Sequence, residues 1–232
     1  MSLENREIKL HTMKKHMIFT TIILIFILGC ASRNNKSKIA TDNGSVHIID
    51  SITEKYDALN DYFDTQVQDP SKEVIIFNEK TSTAMTLRLL QINDIWAVDS
   101  TGMGRKDEIF FKEEDWEKLR KQNGNYSLEK IKNAHLQSGE CCWTSSNFRH
   151  KKIIFEDLKI GSSDFEKKYF SKPSYDVYWF SEPVYYKNKE YIIFSTTKSY
   201  MGGFGSTTRV IIMKKNKKKW VEVYEGKPDW HS

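Results

Sequence analysis

The sequence predicts an α+β fold, with N-terminal helices and short strands packed with a C-terminal antiparallel β-meander. Three observations carry this expectation. Apolar residues recur at helical spacing early in the chain, as in Ile52, Tyr56, Leu59 and Phe63. β-Branched and aromatic runs separated by short polar turns fill the last third, as in Tyr191-Ile192-Ile193-Phe194. Aromatic residues make up 13% of the chain, with six tryptophans, which is enough to close a core without disulfide staples.

Taken in order, the first helix is expected over 51–66. Ser51-Ile52-Thr53-Glu54 has the capping-box spacing, and Asp69-Pro70 follows its end. Val74-Ile75-Ile76-Phe77 reads as a strand. Residues 83–91 suit either element, and the alternation of Met85, Leu87 and Leu89 favours a strand. A third strand is expected at 95–98, a turn at Thr101-Gly102-Met103-Gly104, and a short strand at 108–111. The helix that follows has Glu113, Glu114 and Asp115 in its first turn and Lys118, Arg120 and Lys121 toward its end, which complements the helix dipole. Trp116 and Leu119 form its inward stripe, and Asn123-Gly124 stops it. Ser127 is placed to cap another helix carrying Leu128, Ile131 and His135 on one face, ended by Gly139. Residues 151–160 read as a strand, and Ser163 as the cap of a short helix with Phe165 and Tyr169.

From Tyr175 the pattern is β throughout. Tyr175, Val177 and Trp179 alternate. Pro183-Val184-Tyr185-Tyr186 and Tyr191-Ile192-Ile193-Phe194 flank a turn at Lys187-Asn188-Lys189. Val210-Ile211-Ile212-Met213 and Trp220-Val221-Glu222-Val223-Tyr224 flank a second, lysine-rich turn at 214–219. About five strands follow from this pattern. The lysine turn reads as a solvated loop that discourages edge pairing, with contact to anionic lipid head groups as the alternative.

Residues 13–30 are of another kind. Lys14 and Lys15 precede an apolar run from Met17 to Leu28 that ends in Ile27-Leu28-Gly29-Cys30. The run is about twelve residues, against about twenty needed to span a bilayer as a helix. A basic start, a short apolar segment and a small residue before the cut make a secretory signal. Thr20 and Thr21 are its only polar interruptions, so it lacks the polar face of a core helix. Ile27-Leu28-Gly29-Cys30 resembles the lipobox of bacterial lipoproteins, with an aliphatic residue three before the cysteine and a small residue just before it. The resemblance covers residues 13–30 alone. It implies a diacylglyceryl thioether on Cys30 and cleavage before it, with the acyl chains holding the protein to a membrane at about 0.8 kcal/mol per buried methylene. Glu4 and Glu7 do not suit a basic signal start, so translation is expected to begin at Met13, or residues 1–12 leave with the signal.

The organisation that follows is a signal peptide at 1–29, a lipidated Cys30 with a disordered tether at 30–50, and one α+β domain at 51–232. Ala31-Ser32-Arg33-Asn34-Asn35-Lys36-Ser37-Lys38 is polar and basic, as a tether should be. No aspartate follows Cys30, and in a diderm host the resemblance then implies the outer membrane facing the periplasm. Otherwise it implies the outer face of the cytoplasmic membrane. Asp50-Ser51-Ile52 and Asp99-Ser100-Thr101 are weak matches to an Asp-Ser/Thr glycosylation pattern, and a glycan on Ser51 would compete with capping.

Charge argues against a nucleic-acid partner. Removing residues 1–29 takes four basic and two acidic residues from totals of 36 and 31, leaving a net charge of +3. The expected partner is the membrane, through the lipid, with an envelope protein as a second. No cofactor is implied.

Three groups of residues are candidates for chemistry. His135, Cys141, Cys142 and His150 combine metal-ligating types, but adjacent cysteines diverge in extended chain and rarely share one ion. Cys141 and Cys142 are read either as small buried residues beside Trp143 or as a vicinal disulfide. Met201-Gly202-Gly203-Phe204-Gly205-Ser206-Thr207 has the glycines and hydroxyls of an anion loop without a following helix. With Tyr200, Met201 and Phe204 at its tip it reads as a hairpin connection and a candidate partner-binding loop. Asp94, Asp99, Asp107 and Glu108, with Ser100 or Ser145, are the acids and nucleophiles available, and none sits in a recognised catalytic motif. The expected function is a membrane-anchored, non-enzymatic binding or structural module. The alternatives are an envelope hydrolase with a dispersed site and a redox or metal sensor at Cys141-Cys142.

Overall fold

The computed structural model describes residues 44–99, 104–134, 141–157, 162–169, 175–200 and 206–227. Nine strands form one sheet: β1 (Val74–Phe77), β2 (Asp94–Ala97), β3 (Arg105–Lys106), β4 (Ile153–Glu156), β5 (Asp176–Phe180), β6 (Val184–Tyr186), β7 (Tyr191–Tyr200), β8 (Ser206–Asn216) and β9 (Lys219–Lys227). Their order is β3-β2-β9-β8-β7-β5-β1-β4, and β6 also pairs with β7. β5 to β9 are the expected antiparallel meander. β1 departs from it by running parallel to both β4 and β5. The α+β class is therefore as the sequence predicts, with a parallel corner added. Among the described residues, five α-helices accompany the sheet: α1 (Gly44–Gln66), α2 (Thr83–Ile92), α3 (Glu113–Gln122), α4 (Leu128–Lys132) and α5 (Ser163–Tyr169).

Strand alternation divides the core between the two faces. On the first face, Val74, Ile76, Tyr178, Phe180, Ile192, Phe194, Ile211, Met213 and Trp220 pack under Leu59, Tyr62 and Phe63 of α1. On the second, Ile193, Val210, Ile212 and Ile95 pack under Leu87 and Leu90 of α2, Trp116 and Leu119 of α3, and Ile131 of α4. Also on that face, Ile75, Phe77, Val177 and Trp179 take Phe165 and Tyr169 of α5. A bulge between β8 and β9 at Ile212/Met213 shifts the register by one residue. Because a one-residue shift exchanges faces, Val223 and Tyr224 both reach the second face while Trp220 reaches the first. Gly226 lies between Ile95 and Val210 in the register, and a Cβ there would collide with Val210 Cγ1.

Polar contacts seat the helices. Thr86 of α2 donates its buried hydroxyl to Ser181 Oγ at 2.8 Å, and Ser195 Oγ lies 3.1 Å from it. Trp116 Nε1 donates to the Leu87 carbonyl at 2.9 Å, fixing α3 on α2. Asp61 of α1 accepts the Trp220 N–H at 2.7 Å and pairs with Arg149 at 2.6 Å. Among the described residues, no helix is long and apolar enough to cross a membrane.

Several local expectations are corrected. α1 starts at Gly44, so Ser51 lies inside a helix rather than capping one. Ile52, expected in its buried stripe, is 49% exposed. Residues 83–91 are helical because Ser82 Oγ accepts the Ala84 N–H at 3.1 Å and caps α2; the alternation of Met85, Leu87 and Leu89 is incidental to a face built from Thr83, Thr86, Leu87 and Leu90. Residues 108–111 are not a strand. Asp107 Oδ1 accepts the N–H groups of Ile109 and Phe110 at 2.9 and 3.0 Å, which bends the chain into a turn. α4 ends at Lys132 with Leu128 60% exposed. Ser162, rather than Ser163, caps α5 through the Phe165 N–H. β8 and β9 extend through the expected lysine loop, leaving Lys217-Lys218 as the turn. The turn expected at 101–104 lies mostly outside the described residues, as do Gly139 and His135.

Candidate functional site

On the first sheet face, polar residues gather where the apolar floor stops. Asp176 opens β5, Thr196 and Lys198 occupy the second half of β7, Arg209 lies in the first half of β8, and Glu225 lies near the end of β9. Register and alternation put them side by side: Thr196 is opposite Arg209, Tyr178 opposite Lys198, and Ile211 opposite Glu225. These strands build the array because an apolar core half, Ile192 to Phe194 and Val210 to Met213, holds each strand in register while its other half carries polar side chains.

Two charge clusters result. Arg209 Nη1 donates to Glu225 Oε2 at 2.7 Å, with the carboxylate side chain only 8% exposed. Burial by itself lowers the pKa of Arg209, and Tyr62, Glu225 and Glu222 more than offset this, so the guanidinium is held firmly as a cation. Burial pushes the Tyr62 phenol up, opposed by Arg209 and reinforced by Glu222 and Glu225. Thr196 Oγ1 is buried on the same face without a hydrogen-bond partner among the described residues. In the second cluster, Asp176 pairs with Lys72 at 2.9 Å and with Lys198 at 3.6 Å, and Lys198 lies 5.3 Å from the Tyr178 ring centroid. Across β5, β7, β8 and β9 the array sets Asp176, Lys198, Arg209 and Glu225 in the order acid, base, base, acid on a floor of low dielectric, which suits recognition of a polar ligand or surface.

Sequence reading passed over these residues. Their signal was present: Thr196-Thr197-Lys198 and Thr207-Thr208-Arg209 interrupt runs that are otherwise apolar, and both interruptions adjoin the 200–207 loop. Tyr200, Met201 and Phe204 lie outside the residues whose side chains are described, as does Cys30. The strands leading to that loop pair through Ser199 and Ser206.

At the middle of α1 stands a third cluster. Glu182 accepts from Tyr56 Oη at 3.0 Å and from Lys80 Nζ at 2.6 Å, and Lys80 lies 4.5 Å from the Trp143 ring centroid. Burial, with Glu182 adding to it, pushes the Tyr56 phenol up to about 12. Burial lowers the pKa of Lys55, opposed by Glu182. Trp143 is pinned by its N–H to the Asn78 carbonyl at 2.8 Å and by Nε1 to the Phe180 carbonyl at 3.2 Å. Just before it, Cys141 is exposed and Cys142 half-buried, with their sulfur atoms in contact.

The structure does not bring the remaining candidates together. His150 Nε2 lies 2.9 Å from the Lys72 carbonyl oxygen and its ring meets Phe63 edge-on, away from the cysteines. Asp94 pairs with Lys106 at 2.9 Å, Asp107 holds its turn, and Glu108 and Ser145 are exposed. Asp99 is exposed at the end of the described segment that precedes Ser100. Among the described residues, no group of three or more His, Cys, Asp and Glu is placed to hold a metal ion. No protein-family model, curated protein or solved structure matches the chain.

Proposed function

We propose that the protein is a membrane-anchored envelope lipoprotein whose α+β domain is a non-enzymatic binding or structural module. The observation that carries this reading is the ordered sequence Lys14-Lys15, apolar run, Ile27-Leu28-Gly29-Cys30. Cys30 takes the lipid, and the domain stands beyond it. Lys198 and Arg209, half-buried over the buried carboxylates of Asp176 and Glu225, are the part of the charged array that the module offers to a partner. Its charges are already paired and its titratable members are not arranged as a nucleophile with a base, which supports recognition over bond cleavage.

Fractionation of the native host tests the reading. The wild-type chain is expected in the membrane fraction, resistant to high salt and released by detergent. Cys30→Ser is expected in the soluble fraction or retained with its signal uncleaved. Equal, lipid-bearing membrane retention of both would refute the anchor. For the module itself, Glu108→Gln with Ser145→Ala is expected to complement a deletion strain as well as wild type. Failure of that folded variant would favour the hydrolase.

A further inference from the structure

The two edges of the sheet are built differently. One ends in β3, which is two exposed, charged residues, Arg105 and Lys106. Short charged edges discourage further pairing. The other ends in β4, whose strand neighbour is β1. The Val74 N–H donates to the Lys152 carbonyl and the Asn78 N–H to the Glu156 carbonyl, both at 3.0 Å. In a parallel ladder alternate residues face the same neighbour. Lys152, Ile154 and Glu156 therefore turn their backbone groups to β1, and Ile153 and Phe155 turn theirs outward. The side chains of Ile153, Ile154 and Phe155 are half-buried, with Ile153 and Phe155 packed on the first core face and Ile154 on the second.

The sequence of this edge is self-complementary. It runs Lys151-Lys152-Ile153-Ile154-Phe155-Glu156-Asp157. Laid antiparallel against itself about Ile154, it sets Lys151 opposite Asp157, Lys152 opposite Glu156 and Ile153 opposite Phe155. Ile153 and Phe155 are also the residues with outward N–H and C=O groups, so they form the hydrogen-bonded pairs, and Ile154 meets its own copy on the two-fold axis. Slipping by two residues either way puts a charge opposite an apolar side chain. Slipping by one sets an outward-facing residue opposite an inward-facing one. Lys151 and Asp157 are exposed and on the same face by alternation. Glu156 is already held by Lys168 at 2.7 Å and Tyr169 at 2.5 Å, so the discriminating charge pair is Lys151 with Asp157.

We propose that β4 is a self-pairing edge: a second copy of this chain adds its β4 antiparallel, joining two sheets across a two-fold axis. The inference is independent of the lipid anchor. If the anchor exists, confinement to a membrane raises the effective concentration of the edges and favours the pairing.

Sedimentation equilibrium of the full chain in density-matched detergent tests this, with wild type, Lys151→Glu, Asp157→Lys, the double variant and an equal mixture of the two single variants. The wild type is expected to show a reversible monomer–dimer equilibrium. Each single variant sets like charges across both ends of the pairing, and its dimer is expected to weaken about tenfold. The double variant should regain wild-type association, and the mixture should associate more tightly than either single variant alone. Ile153→Pro, which removes an outward N–H and leaves the β1 ladder intact, should abolish the dimer. A monomeric wild type, or association that charge reversal leaves unchanged, would overturn the proposal. Far-ultraviolet circular dichroism of each variant separates lost pairing from lost fold.

Discussion

The antiparallel half of the sheet and its parallel corner are assembled by different means. From β5 to β9 each strand meets a neighbour close in sequence, and the turns are short, as at Lys187–Glu190 and Lys217-Lys218. In the corner, Val74 of β1 aligns with Ile153 of β4 on one side and Asp176 of β5 on the other. Pairings that distant require long loops to close before any contact forms. The local half is held by its own ladders. The corner relies on side chains delivered from elsewhere: Trp143 and Phe148 from the loop before β4, and Lys168 and Tyr169 from α5.

The largest expected break in this comparison is Trp143→Ala. Trp143 is 1% exposed, touches Tyr56 and Phe148, and bonds Asn78 and Phe180. Its loss should cost about 3–5 kcal/mol in urea unfolding. Hydrogen exchange should rise first in β1 and β4, with β7 and β8 still protected. Gly226→Ala is the matching break in the antiparallel half. The added Cβ meets Val210 Cγ1 in a fully packed position, and a loss of about 1–3 kcal/mol is expected by the same unfolding measurement.

Ser82→Ala removes the cap of α2 and should cost about 1 kcal/mol in urea unfolding. It would also expose how narrowly residues 83–91 are helical. The smallest effect is expected at Tyr56. Its folded pKa of about 12 lies above the ordinary value of 10.0, so its contribution is complete below pH 10 and is lost as pH rises through 12. Tyr56→Phe should therefore show a shallower fall in stability across that interval, followed by chemical unfolding at fixed alkaline pH values. An unchanged slope would place the alkaline sensitivity in other phenols.

The same contrast explains what was legible in the sequence. The meander was read because hairpins encode their partner within a few residues, as in Tyr185-Tyr186 and Tyr191-Ile192 around a four-residue turn. The strands β1 and β4 were recognised singly, but their parallel pairing has no local mark. Residues 83–91 were misread because a short buried helix and a short buried strand share apolar content, and a single serine cap decides between them. The charged array was missed because Asp176, Lys198, Arg209 and Glu225 are scattered in sequence and meet only through the register of four strands. The processing signal proposed at Met13 to Cys30 is read in linear order alone and draws on no part of the fold.

Intact-mass analysis of the protein purified from its native membranes tests the central proposal most directly. The account predicts a chain that begins at Cys30 and carries a diacylglyceryl adduct, with both features lost in Cys30→Ser. A wild-type chain that retains residues before Cys30, or that carries no lipid, would contradict it.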